Sequence, residues 1–192
     1  MIYETIIITI NKDFTPHIVP MGIHEQDGMI VIEPFRPSRT LENLQRTQMA
    51  VINMTDDVSI FAGCLTGRSN WPTVPTEIID GHRLLSALAH IEVEVHHCDD
   101  DDIRPSFFCS VKNEVTHAPF KGFNRAQAAV IEAAILASRL RMLSAEKIET
   151  EIKYLQIAID KTAGEKEKKA WAWLMDYFKQ HNAEQGVKEE VV

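Results

Sequence analysis

The sequence predicts an α+β protein: a barrel of short antiparallel strands with one inserted helix, followed by a C-terminal assembly of three helices. β-Branched runs punctuated by turn residues fill positions 1–120, and the one early helical period is the pair Leu41 and Leu44. Beyond Phe120 the period changes, with apolar residues at alternating steps of four and three. The expected division is therefore a β domain over 1–120, a helical subdomain over 121–182 and a disordered polar tail over 183–192.

Residues 2–10 are rich in isoleucine and threonine and read as the first strand, closed by Asn11-Lys12-Asp13. His17 to Gln26 reads as a second, interrupted by Pro20 and Gly22. Proline withholds a ladder donor, and glycine lets another backbone or a flat ligand approach closely. Asp27-Gly28 predicts a tight hairpin turn into a strand over Met29 to Glu33. Met49 to Asn53 is an apolar run with the character of a buried strand, and Ser59 to Cys64 is expected to add another. Residues 65–80 carry two prolines and no clear period, and are expected to form a long surface loop in which Trp71 pins its own segment or covers a ligand or a subunit contact. Residues 91–97 alternate, with Ile91, Val93 and Val95 on one face and Glu92, Glu94 and His96 on the other. Phe107, Cys109 and Val111 share a face of the matching strand, and Asp99 to Asp102 form a solvated tip between them.

Asn124 reads as the N-cap of the first C-terminal helix, whose stripe is Ala129, Ala133, Leu136, Leu140 and Leu143. Ser144 caps a second helix striped by Ile148, Ile152, Leu155 and Ile159. Thr162 to Glu165 fits a capping box for a third, carrying Trp171, Leu174 and Phe178.

The chain is 192 residues long, with 45% hydrophobic and 25% charged residues, values ordinary for a chain with a real core. A formal net charge of −8 argues against nucleic acid or an anionic membrane as partner. No apolar run approaches the roughly 20 residues of a membrane helix. The opening residues read as a strand, not a secretory leader, and three cysteines without CxxC spacing fit a reducing cytoplasm.

The stretch with the most chemistry is 35–53. Arg36, Ser38, Arg39 and Thr40 surround Pro37 and lead straight into a helix. Guanidinium forks match phosphate geometry, hydroxyls donate further hydrogen bonds, and the first amides of a helix point outward. A plain helix start, with Ser38 or Thr40 as cap and the arginines solvated, is the other reading. His96 and His97 adjoin an aspartate run, but neighbours on a strand point to opposite faces, so no metal site is expected. His24 and His90 read as ordinary structural residues. No nucleophile–base pair, Walker loop or dinucleotide fingerprint is present, so any reaction here would be carried by a bound cofactor.

The order and spacing of these pieces resemble the FMN-binding split-barrel superfamily, in the branch that includes flavin reductases. The resemblance rests on Thr9 ending the first strand, His17 to Gly22, Ser38-Arg39-Thr40, Asn43 and Val51-Ile52-Asn53. Pro20-Met21-Gly22, the run from Ser38 to Leu44, Phe123 to Ala126, Ser138 to Leu140 and Lys161-Thr162 are similar to one uncharacterised microbial family of that superfamily. The resemblance implies an FMN-binding homodimer, a flavin reductase-like oxidoreductase using a nicotinamide or a pathway substrate, in microbes with methanopterin-type one-carbon metabolism. Arg36, Ser38, Arg39 and Thr40 would hold the phosphate with help from Asn43, and Pro20, Met21, Gly22 and Asn53 would lie near the ring or ribityl chain. His17 stands where an asparagine is common. A non-catalytic FMN binder or a dimeric scaffold is the alternative.

Overall fold

A computed structural model of the chain describes residues 1–189, with side chains described through His181. Its elements, in order, are β1 (Ile2–Ile10), β2 (Pro16–Gln26), β3 (Met29–Ile32), α1 (Arg39–Thr47), β4 (Met49–Met54), α2 (Ser59–Leu65), β5 (Thr73–Pro75), β6 (His82–Leu84), β7 (Ala89–Asp99), β8 (Ser106–Thr116), α3 (Arg125–Ser138), α4 (Ala145–Thr162) and α5 (Glu165–Glu189). They group into a barrel unit, residues 1–56 and 69–120, and a helical unit, residues 57–68 and the chain from 121 onward.

In the barrel unit six antiparallel strands close in the order β1-β2-β3-β8-β7-β4. Two-residue periodicity sends Ile7, Ile32, Ile52, Val93, Phe107 and Cys109 inward, where Leu41 and Leu44 of α1 join them. The helix thus plugs the barrel with the two leucines that marked it in the sequence. Asp27 and Gly28 both have positive φ, 52° and 76°, as a two-residue primed turn requires, and Gln26 pairs with Met29 across it.

The outer face of β1 and β4 is also buried: Ile6, Ile8, Val51 and Asn53 are all at most 1% exposed. Part of its cover is the hairpin of β5 and β6, which lies within the expected 65–80 loop and just past it. Three-residue strands are too short to show a period, so the pairing was hidden. At Gly81 an added Cβ would meet Val51 Cγ2 at 3.0 Å and Thr76 Oγ1 at 3.2 Å, so glycine is what lets this hairpin lie close.

Several expectations need correction. On the face of β7 shared by Glu92, Glu94 and His96, Glu92 is fully buried beneath the 77–79 turn. A register shift leaves Lys112 as an extra residue on β8 and sets Val111 opposite Val93, where it is 47% exposed instead of sharing the core with Cys109. The aspartate tip is tied down. Asp101 Oδ1 accepts from the amides of Ile103 and Arg104 at 2.8 and 2.6 Å, and Arg36 holds Asp100 at 2.6 Å.

In the helical unit, residues 59–65 form α2, not a strand. Asp57 starts the helix, its Oδ1 accepting from the Ser59 amide and its carbonyl from Ile60, and Val58 and Ala62 enter the helical core. A short apolar run cannot be assigned by period alone, and here packing decided it. Asn124 caps α3 with 2.8 and 3.4 Å bonds from the Ala126 and Gln127 amides, and Ser144 caps α4 through Lys147. Ala129 and Ala133 bring α3 close to its neighbours, while Leu174, Trp171 and Phe178 of α5 fill the centre. The capping box of α5 sits two residues later than expected: Glu167 accepts from the Gly164 amide at 2.9 Å. Thr162 instead ends α4, its hydroxyl bonded to the Ala158 carbonyl. The expected tail, 183–192, overlaps the last turns of α5, and 190–192 lie outside the described residues.

Candidate functional site

The candidate site is the start of α1, where it meets the ends of β1 and β2. Ser38 has extended backbone angles (φ −156°, ψ 154°), and its hydroxyl accepts from the Leu41 amide at 3.2 Å, satisfying one of the orphan donors of the helix. Arg39 is exposed, and its side chain makes no ion pair or hydrogen bond among the described residues. Its charge reaches two neighbours. It helps hold the Asp13 carboxyl below its ordinary value, after the larger effect of Thr15, and it adds to burial in holding the His17 imidazole down. Thr40 is 2% exposed, and its residue lies at the seam between helix and barrel.

Asn43 is 3% exposed and its amide is committed: Nδ2 donates to Thr9 Oγ1 at 3.0 Å and to Asn11 Oδ1 at 3.1 Å. Arg46 donates to the Ile10 carbonyl. These contacts clamp α1 onto the end of β1, next to His17, which pairs with Thr9 in the ladder. The helix start is therefore held rigidly beside the barrel, with an unpaired guanidinium, a hydroxyl and free amides gathered at one place. That arrangement suits a phosphate or another compact anion.

Arg36 does not join them. Its guanidinium donates to Asp100 and to the Asp101 carbonyl, so it staples the 99–104 turn to the chain just ahead of α1. Arg104 reinforces the staple through the Glu33 carbonyl and by lying 4.9 Å over the Phe35 ring.

The second group of expected residues lies further along β2. Pro20 and Asn53 flank Ile6 from the two sides of β1, on the outer face. Met21 faces the core, and its carbonyl accepts from Thr5 Oγ1 at 2.8 Å. At Gly22 an added Cβ would strike Ile2 Cγ2 at 2.8 Å, so a side chain there would have to displace that of Ile2. Asn53 is fully buried and committed: its amide donates to the carbonyls of Ile6 and Val51, and Oδ1 accepts from the Leu84 amide. It fastens β6 to the barrel. On its other edge β2 pairs with β3 from Ile23 to Gln26. Pro20 lies about 10 Å along the strand from His17, at roughly 3.4 Å per residue. The donors at the start of α1 thus lie beside His17, with Pro20 to Gly22 further along the same strand, which suits a long phosphorylated ligand.

A model of the N-terminal domain of DUF447, a protein family of unknown function, matches residues 3–118, and the DUF447 C-terminal model matches 124–176. The chain belongs to the DUF447 family. Among solved structures, an FMN-bound DUF447 protein from Methanosarcina mazei is similar over 92% of this chain and 94% of its own, with a TM-score of 0.79 and 22% identity. The flavin reductase of a styrene monooxygenase from Pseudomonas putida matches over 60% of this chain and 80% of its own (TM-score 0.51, 15% identity). Component B of a nitrilotriacetate monooxygenase from Mycobacterium thermoresistibile matches over 62% and 70% (TM-score 0.52, 17% identity). Both shorter matches show a shared fold. No functionally curated protein matches by sequence.

Sequence reasoning missed that Thr9, Asn11 and Arg46 clamp the DUF447 helix onto the end of β1. No local signal marks them, because the contacts span more than thirty residues of chain. It also missed a buried polar cluster on β7, centred on Glu92 and reached from β8 and the 77–79 turn. Among the described residues no His, Cys, Asp or Glu group could hold a metal ion, and no helix is long and apolar enough to cross a membrane.

Proposed function

We propose that this DUF447 chain binds FMN and acts as a flavin-dependent oxidoreductase of the flavin reductase kind. The observation that carries the reading is the unpaired Arg39 guanidinium beside the Ser38-capped start of α1, close to His17 at the start of β2. It is supported by full-length similarity to a family member from Methanosarcina mazei described as FMN-bound. Arg39, Ser38 and Thr40 would hold the phosphate, while Asn43 and Arg36 set the position of the helix and of the turn before it. Pro20 to Gly22 would line the ring or ribityl chain through backbone, and Asn53 acts from behind by fixing the sheet. Bound FMN would supply hydride acceptance from a nicotinamide or a pathway substrate, and the chain's residues supply the anion cradle and the shaped wall. One-carbon metabolism remains the proposed setting, in the cytoplasm.

We also propose a homodimer, in keeping with the exposed apolar side chains of Ile2 and Tyr3 on β1. Sedimentation velocity tests it, and a monomer at all concentrations would exclude it.

The test of the cofactor is an absorbance spectrum of the protein reconstituted with FMN and desalted. Retained bands near ~370 and ~450 nm, the usual flavin signature, support the reading. Protein that stays colourless refutes it. NAD(P)H oxidation by the flavin-loaded protein then separates an oxidoreductase from a non-catalytic flavin binder.

A further inference from the structure

The buried cluster on β7 offers an acid–base function that flavin binding does not require. Glu92 is fully buried and receives five hydrogen bonds. The Ile78 and Ile79 amides donate to Oε2 at 2.9 and 2.8 Å. The Glu77 amide and Asn113 Nδ2 donate to Oε1 at 3.3 and 2.9 Å, and His90 Nε2 lies 3.3 Å from the same oxygen. Burial alone would raise the carboxyl pKa, but the Ile79 amide, Asn113, the Ile78 amide and His90 together outweigh it and bring it down to about 2. At neutral pH Glu92 is therefore a carboxylate, able only to accept.

The rest of the bonding follows from that. His90, 1% exposed, must carry its proton on Nε2 to meet the carboxylate. In the neutral ring Nδ1 is then a lone pair, and it lies 2.9 Å from His117 Nε2. His117 must accordingly hold its proton on Nε2, which leaves its Nδ1 as the basic nitrogen. The two rings are nearly parallel, 8° apart with centroids at 5.0 Å, and these two nitrogens are within hydrogen-bond reach of each other. His117 lies just beyond β8 and is exposed, whereas the rest of the line is buried.

We infer that Glu92, His90 and His117 form a proton relay whose outer end, Nδ1 of His117, is an acid–base site on the barrel wall. A proton taken up at His117 Nδ1 is matched by transfer of the Nε2 proton to His90 Nδ1. The charge then rests on His90, against the Glu92 carboxylate, and the reverse steps return the proton to the ligand. The site suits a ligand that exchanges one proton near neutral pH. The other charges that reach His117 are Arg83 of β6, which with burial and His90 holds the imidazole below its ordinary value, and Glu77, which opposes them. The inference does not depend on bound flavin.

Imidazole 15N NMR of the labelled full-length protein, without flavin, tests it. At pH 8 both rings are expected in the Nε2–H form, favoured roughly three- to tenfold in His117, the ratio one net hydrogen bond supplies. Acidification should protonate His117 Nδ1, with the His90 nitrogen shifts moving along the same curve. Glu92→Gln disturbs the acceptor of three amides and endangers the fold, so the variant to use is His117→Asn, at the exposed end. In it His90 should keep its tautomer and lose that titration step. A proton on His90 Nδ1, averaged tautomers in His117, or His90 shifts that titrate identically in the variant would each overturn the relay.

Discussion

Thr9 on β1 accepts a 3.0 Å hydrogen bond from the buried side-chain amide of Asn43 on α1, across thirty-four positions of sequence. The same amide bonds Asn11, so one side chain fixes the inserted helix against the strand it must face.

Asn43→Ala should therefore act on stability first. It removes three hydrogen bonds, to Thr9, Asn11 and Arg46, which costs about 2 kcal/mol. Urea unfolding should show the midpoint fall at constant slope. Flavin retention should weaken along with it, because the Arg39 donors lose their support. A variant of unchanged stability would mean that α1 is held by its leucines alone.

Arg39 and Arg36 should separate cleanly. Arg39 has no protein partner among the described residues, so Arg39→Ala leaves stability unchanged. It should weaken FMN binding about ten- to a hundredfold, the range of a charge-assisted bond. Arg36 is joined to Asp100 in an exposed pair, for which such contacts contribute about 0–1 kcal/mol. Arg36→Ala should loosen the 99–104 turn, visible as faster amide exchange at Ile103 and Arg104, with a smaller change in flavin affinity. Fluorescence titration with FMN measures both, and equal losses would return Arg36 to the phosphate set.

These distinctions also mark what the sequence makes legible. The Asp27-Gly28 turn, the Ser38 cap, the Leu41/Leu44 face and the Asn124 cap are all local, and local chemistry determines them. Glu92 is different. Its alternation with Val93 and Val95 places it on the outer face correctly, yet nothing nearby announces that the 77–79 turn will cover it. Arg36 and Arg39 are indistinguishable in the sequence, and Asp100 divides them only when the chain folds. The run 59–65 is ambiguous for the same reason, since its helical state is decided by contacts with α3 and α5.

Cys109 should be inert in the native protein. It is fully buried in the barrel core, and burial above all pushes its thiol pKa up to about 12. A thiol reagent at pH 8 should modify it only as fast as the barrel opens, and denaturant should expose it at once. Peptide mapping after a short pulse of reagent checks this, and native labelling of Cys109 would show that the core is not closed.

Glu92 should make the barrel acid-sensitive, and the sign follows from the direction of its shift. Its folded pKa, about 2, lies below the unfolded 4.5. Above pH 4.5 both states are ionised and its contribution is fully present. As pH falls from 4.5 toward 2 the unfolded state takes up a proton first, and that contribution is progressively lost. The difference corresponds to on the order of 3 kcal/mol, a sizeable part of a single domain's stability. Protonation also removes the acceptor that gathers the 77–79 turn. The hairpin of β5 and β6 should then detach before the strands separate. Amide exchange at Ile78 and Ile79 should rise between pH 4.5 and 2, ahead of exchange at Ile52 and Val93. Simultaneous loss of protection at all four would show that the turn and the barrel open as one unit.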